Sequence, residues 1–232
     1  MRAINTLIVI LAFATQLPLS QSAEANIDGV SQSRIQDRQN AREPAAAMND
    51  DAVALTEFDH VDPKHLVPDV PLKRAIIYFK KNKAKFENRN YIGIVDFTRS
   101  SNQPRLFIVN LNTGVVHTHF TSHGKGSDPA NTGHARRFSN RSGSDESSYG
   151  FYRTGEVYIG KHGRSLRLDG LSSSNSNARA RAIVMHAAWY VTEKGHHSGR
   201  SDGCFALDPA KRDTVISELE GGALLYGWSG QK

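Results

Sequence analysis

The chain of 232 residues holds one cysteine, Cys204. An internal disulfide framework is therefore excluded, and the thiol is left as an inert buried group, half of an intermolecular bridge, or a nucleophile. No cysteine stands near Ala25, so no lipid-modified N-terminus is offered there. Beyond the first residues no apolar run approaches the ~20 needed to span a bilayer. Internal repeats are missing, and so is H-E-x-x-H. Acidic side chains are the minority, 23 against 29 Lys plus Arg, for a net charge of +6. Such a balance suits an anionic polymer, anionic lipid or nucleic acid, or serves solubility alone.

What is present begins with Arg2, the apolar stretch Leu7-Ile8-Val9-Ile10-Leu11-Ala12-Phe13, and Ala23-Glu24-Ala25. That order predicts a cleavable signal peptide over 1–25 and export to a periplasm or other envelope space. The apolar core is too short to anchor the chain, so no stable membrane insertion is expected after cleavage. Export also makes nucleic acid the least apt partner for the positive charge. Residues 26–67 are polar and aperiodic and read as a flexible arm or linker. The folded domain is expected over 68–232.

After Pro71, the spacing of Leu72, Ala75, Ile76 and Phe79 predicts an amphipathic helix. "YIGIVDF" (91–97) and "RLFIVNL" (105–111) predict strands, and 105–123 reads as a hairpin. Residues 124–148 form a Gly/Ser/Asn-rich connection, long enough to suggest a functional loop. Short strands between glycines follow, then the buried run "AIVMHA" (182–187). Asp208-Pro209 predicts a helix start, with Val215, Ile216 and Leu219 as its apolar face, and "ALLYGW" a last strand. The fold class is mainly β, with a helix at each end of the folded part.

The thiol sits in "GRSDGCFALDP", among glycine, serine and aspartate. A cysteine attacks as thiolate, which needs a base or cation nearby and backbone amides where an oxyanion would form. His186, at the end of a core strand, is close enough in sequence to be that base. The alternative is a packed, inert thiol. Gly199-Arg200-Ser201-Asp202-Gly203 also matches G-x-S-x-G, but no histidine follows Ser201 and the elbow reading fails. Ser201 is instead a structural hydroxyl beside the thiol. His117, His119 and His123, with the pair His196-His197, raise a zinc site; an exposed strand face explains His117 and His119 equally well, and no metal or other cofactor is expected.

"SSYGFYRTGEVYIGKHGRSLRLDGL", "AIVMHAAWYV" and "GRSDGCFAL" together resemble the L,D-transpeptidase catalytic domain of YkuD type, in its murein L,D-transpeptidase branch. The likeness runs from about Tyr91 to Trp228. Its hallmark, a strand histidine and then Ser/Thr-x-Gly-Cys, reads here as His186 and Ser201-Asp202-Gly203-Cys204. The family's upstream turn reads here as Ser147-Ser148-Tyr149-Gly150-Phe151-Tyr152. The resemblance implies a β-sandwich with a few flanking helices and a cysteine acyltransferase acting on peptidoglycan stem peptides. Cys204 would attack the diaminopimelate carbonyl and expel D-alanine, with His186 as base and then proton donor. The Gly203 and Cys204 amides would form the oxyanion hole.

Three departures qualify that implication. Asp202 replaces a histidine of better-known members, their post-cysteine arginine is missing from Phe205-Ala206-Leu207, and Ala187 follows His186 in place of glycine. Substrate carboxylates must then be met elsewhere; Arg167, Lys161 and Arg200 are candidates on charge, and His162, Asp202, Tyr149 and Gly150 on position in the resembling stretches. The thioester would pass to an amine, giving a cross-link, or to water, which would make the protein an L,D-carboxypeptidase. A non-catalytic wall-binding module of the same fold is the remaining alternative.

Overall fold

A computed structural model of the chain describes residues 52, 53, 55–192 and 199–231. The expected signal peptide, most of the arm and the His196-His197 pair lie outside the described residues.

Two strands explain the layering. β1 (Tyr91–Asp96) and β2 (Leu106–Asn110) are near-continuous apolar runs because both faces are covered. Their side chains alternate. Ile92, Ile94, Phe107 and Val109 point into one core, where helix α1 (Asp69–Lys81) adds Ala75, Ile76 and Phe79. Val95, Leu106 and Ile108 point into the other, against Val215, Ile216 and Leu219 of helix α2 (Arg212–Leu219). Both helices differ slightly from expectation. α1 starts before Pro71, which sits in the first turn, where a backbone N–H has no helical partner to lose. α2 starts later than Asp208-Pro209, because Asp208 first closes a turn, its Oδ1 accepting from the Ala210 amide at 2.8 Å.

The remaining strands are β3 (Val116–His119), β4 (His123–Gly124), β5 (Gly150–Gly160), β6 (Gly163–Gly170), β7 (Val184–Ala187), β8 (Arg200–Ser201), β9 (Phe205–Leu207) and β10 (Leu224–Trp228). Eight form one sheet in the order β3-β2-β1-β10-β5-β6-β7-β9, and β4 pairs with β8 apart from it. The pairs β1–β10 and β7–β9 are parallel. The sheet folds over on itself. Thr121, just past β3, bridges to Leu207 of β9, and the Ser122 amide donates to the Ala206 carbonyl at 3.1 Å. The core enclosed by that fold joins Leu106 and Ile108 to Leu166, Met185 and Phe205 from the far half. The architecture is mainly β and sandwich-like, with helices α1 and α2 packed on its two sides.

Described residues ahead of α1 also pack on the sheet. Val61 and Val67 are buried in the α1-side core. The Asp62 carboxylate accepts from the Leu66 and Val67 amides at 2.9 and 2.8 Å. Among the described residues no helix is long and apolar enough to cross a membrane.

Candidate active site

Parallel pairing of β7 and β9 sets His186 opposite Ala206. Cys204, one residue before β9, is thereby carried to the same cleft as His186. This cleft, about 580 Å³ in volume, is also lined by Lys161, His162, Arg181, Tyr190, Arg200, Ser201 and Asp202. Non-local strand pairing, which sequence spacing does not display, creates the site.

The turn that presents the thiol is tied from within. Ser201 Oγ donates to the Cys204 carbonyl at 2.7 Å and accepts the Gly203 amide at 3.1 Å. Gly203 has φ +116°, and a Cβ there would lie 2.8 Å from the Glu146 carbonyl oxygen, so only glycine fits. Outside the turn, Ser147 Oγ donates to the Gly203 carbonyl at 3.3 Å and accepts the Gly124 amide at 3.0 Å. Ser201 Oγ thus bridges two backbone groups of the turn. In this resting arrangement the Gly203 amide is engaged by Ser201 Oγ.

Cys204 Sγ lies 3.6 Å from the Ala182 carbonyl oxygen. Burial pushes its pKa above the ordinary 9.0 and Asp202 adds to this, against a hydrogen bond from the Val184 amide and the charges of Arg181 and Lys161. Burial also pulls His186 below its ordinary 6.5, with His162 and Lys161 acting the same way against the Ala187 carbonyl. At neutral pH the pair rests as thiol and neutral imidazole. His186 Nδ1 is 2.8 Å from the Ala187 carbonyl oxygen. A carbonyl can only accept, so Nδ1 carries the proton and the Nε2 lone pair is the basic one.

One wall of the cleft is the β5–β6 hairpin. Gly160 pairs with Gly163 across a two-residue turn, whose members are Lys161 and His162. Neither Lys161 nor His162 has positive φ, and Gly163, at φ +74°, supplies the left-handed residue that follows a type I turn in such hairpins. The 124–148 loop contributes no residue to the cleft lining but is tied to residues around it by two devices. The first is a buried polar chain. Arg105, with none of its surface exposed, donates to the Thr121 and Arg99 carbonyls at 3.0 Å and to His123 Nδ1 at 2.8 Å. His123 Nε2 in turn faces Asp128 at 3.5 Å. The second is Arg181, which donates to the carbonyls of Ser139 at 2.5 Å and Glu146 at 2.6 Å and to Ser144 Oγ at 3.3 Å. Nothing in the spacing of the sequence singled out Arg181 or Arg105.

Of the residues proposed for substrate, Lys161, His162, Arg200 and Asp202 line the cleft with Cys204 and His186. Arg200 donates to the Asp128 carbonyl at 2.6 Å, which ties β8 to the loop. Asp202 pairs with Lys125 at 2.8 Å. The other three are placed elsewhere. Arg167 pairs with Glu156 at 2.8 Å and lies over the Tyr158 ring, 4.3 Å from its centroid. Tyr149 packs edge-on against Phe138 at 5.8 Å, and Gly150 opens β5 opposite Gly227. None of Arg167, Tyr149 and Gly150 lines the cleft.

The histidines of the zinc reading take separate surroundings. His117 Nδ1 bonds Glu218 at 2.8 Å, His119 is buried with neither ring nitrogen partnered among the described residues, and His123 belongs to the Arg105 chain. Among the described residues no three His, Cys, Asp or Glu side chains are grouped to hold a metal ion.

A mainly β fold that brings a strand histidine and the cysteine just ahead of a neighbouring parallel strand into one cleft defines a class of domain, and comparison identifies it. The L,D-transpeptidase catalytic domain family matches residues 64–228, and the chain belongs to that family. Solved structures similar to it include an L,D-transpeptidase from Xylanimonas cellulosilytica, at 12% identity over 60% of this chain and 60% of that one, TM-score 0.38. An L,D-transpeptidase from Mycobacterium smegmatis shows 12% identity over 60% and 59%, TM-score 0.37. The helical cell shape determining protein of Campylobacter jejuni shows 11% over 63% and 50%, TM-score 0.39. The chain thus spans about 60% of the length of the first of these structures. A search of curated proteins returned no match.

Proposed function

We propose that the protein is a cysteine-dependent murein L,D-transpeptidase, acting in the cell envelope on peptidoglycan stem peptides. The observation that carries this reading is the shared cleft of Cys204 and His186, with the His186 tautomer fixed by the Ala187 carbonyl. His186 Nε2 takes the thiol proton as Sγ attacks the stem carbonyl, because neither group is charged beforehand. The tetrahedral intermediate collapses as His186 returns that proton to the departing D-alanine amine, leaving a thioester on Cys204. An acceptor amine then attacks the thioester carbonyl and passes its proton to His186. The carbon–sulfur bond breaks and the thiol is regenerated with a new peptide bond. The Cys204 amide serves the oxyanion, joined by Gly203 once Ser201 Oγ releases that amide.

Transfer to an amine outruns transfer to water only if the amine is held at the thioester, where positioning is worth an effective molarity on the order of 10⁵ M or more. The 124–148 loop favours such holding. It is fixed to the cleft through Arg181 and Ser147, and its exposed arginines, Arg136, Arg137 and Arg141, make no ion pair among the described residues. Stems carry free carboxylates that suit them. The test supplies tetrapeptide stems with and without an acceptor tripeptide and follows products by mass. A dimer joined between diaminopimelate residues is expected. Tripeptide alone, at a rate indifferent to acceptor, would make the protein an L,D-carboxypeptidase, and no product at all a binding module.

A further inference from the structure

Arg181 is the cation that the sequence did not mark. It lines the cleft with Cys204, and a Cβ placed on Gly203, the residue before the nucleophile, would stand 3.3 Å from its Nη2. Its side-chain hydrogen bonds go to two carbonyls and a hydroxyl, and it makes no ion pair with a carboxylate among the described residues. This sets it apart from Arg153, Arg164, Arg167, Arg179 and Arg212, each of which faces an Asp or Glu. A half-buried guanidinium hydrogen-bonded only to neutral dipoles keeps its full charge directed at its surroundings, and partial burial weakens the screening of that charge.

We infer that Arg181 supplies the positive charge that stabilises negative charge forming on Cys204 and on the adjoining oxyanion, in addition to anchoring the 139–146 segment. The inference rests on the reading of Cys204 as nucleophile. Other charged and titratable groups lining the cleft with the thiol are His186 on β7, Tyr158 on β5, Lys161 and His162 on the β5–β6 hairpin, Tyr190 after β7, Arg200 on β8, whose guanidinium is drawn to the Asp128 carbonyl, and Asp202 within the nucleophile turn. Asp202 opposes the anion, and its own pairing with Lys125 reduces that opposition. Lys161 acts in the same sense as Arg181 but projects from an exposed hairpin tip. Burial lowers the pKa of Arg181 from its ordinary value, while the charge of an ionised Cys204 raises it, so the two groups favour each other's charged forms.

The anchoring and charge-supplying roles separate in three substitutions. Arg181→Lys keeps the charge but loses the planar fork that reaches Ser139, Ser144 and Glu146. Arg181→Met loses both, and Arg181→Gln, neutral but still polar, covers the case in which Met fails to fold. The measurement is the rate of iodoacetamide alkylation of Cys204 from pH 7 to pH 11, read by intact mass. No substrate is needed, so the result stands even if the chain proves inactive on stems. The neutral variants should ionise at higher pH than the wild type, with labelling at pH 9 slowed on the order of tenfold, as expected for losing a nearby opposite charge. Arg181→Lys should stay within about threefold of the wild type. Equal slowing in Lys and neutral variants, or no slowing in either, would reduce Arg181 to a loop anchor and overturn the inference.

Discussion

The ring of His186 lies against the ring of His162, with centroids 4.3 Å apart and planes inclined by 22°. The buried ring of His186 is therefore capped by the exposed ring of His162 at the hairpin tip. Charge on His162 opposes charge on His186, and burial acts in the same direction. As the base, His186 must be neutral, so activity is lost as pH falls through its pKa. A lowered pKa extends activity below pH 6.5. Replacing His162 by Ala removes the opposing charge and admits water, and both changes raise the pKa of His186. The acid limb of kcat/KM should move to higher pH, with the plateau changed only a few-fold. An unmoved limb would show that the stack has no electrostatic role.

Nucleophile and base act as a unit in the proposed chemistry, so their losses should not add. Cys204→Ala and His186→Gln are each expected to lower turnover of tetrapeptide stems by on the order of 10³-fold or more. The double variant should be no worse than the weaker single one. Thermal melts within a few degrees of wild type would establish that the fold is intact. Full activity in Cys204→Ala would end the cysteine reading.

Gly203→Ala tests the turn. Its φ of +116° excludes an L side chain, and the added carbon meets the Glu146 carbonyl at 2.8 Å. Strain of this kind costs on the order of 1–3 kcal/mol. Urea denaturation should show a loss of that size, together with a fall in turnover, because relief requires moving Cys204 or the loop. A neutral result would mean that the turn has another accessible conformation.

Acid should destabilise the protein through its buried histidines. Burial pulls His119 to about 4 and His123 to about 3, with His117 and Arg105 respectively adding to the effect. Below the ordinary 6.5 the unfolded chain binds protons that the folded chain refuses. Stability is fully present above that pH and is lost as pH falls toward 4 and 3. Each histidine contributes a slope of at most about 1.4 kcal/mol per pH unit. Urea titrations between pH 6.5 and 4.5 should show this slope, and His119→Gln should reduce it by about one proton's worth. An unchanged slope in that variant would place the acid sensitivity elsewhere.

The longer strands and both helices were legible because each carries a local pattern; the short strands β4, β8 and β9, made by long-range pairing, were not. "YIGIVD" and "LFIVN" announce burial on two faces, and Ala75, Ile76 and Phe79 mark one stripe of a helix. Cys204 and His186 stood out in the sequence because their chemistry is rare in its setting; the fold lines one cleft with both, and the family match agrees with the resemblance read from their motifs. Other features depend on long-range contact. Arg181 is one of two arginines in "ARARA", and only the return of residues 139–146 across it separates it from Arg179, which faces Glu156 and Asp169. Arg167 has suitable charge for a substrate carboxylate, but Glu156 on the neighbouring strand takes it. The engagement of the Gly203 amide by Ser201 Oγ depends on turn geometry that composition does not express.

The bridge from Thr121 to Leu207 has a consequence for behaviour at high concentration. An open sheet would end in two rows of unpaired backbone groups, each a template for another chain. Here the stretch following β3 is joined to β9, with Ser122 N–H and Thr121 Oγ1 both donating to the Ala206 carbonyl, at 3.1 and 2.9 Å. The border that carries the nucleophile is thereby closed to strand addition. Substituting Thr121 by Val removes one tie from that seam, so its price should be self-association before any loss of fold.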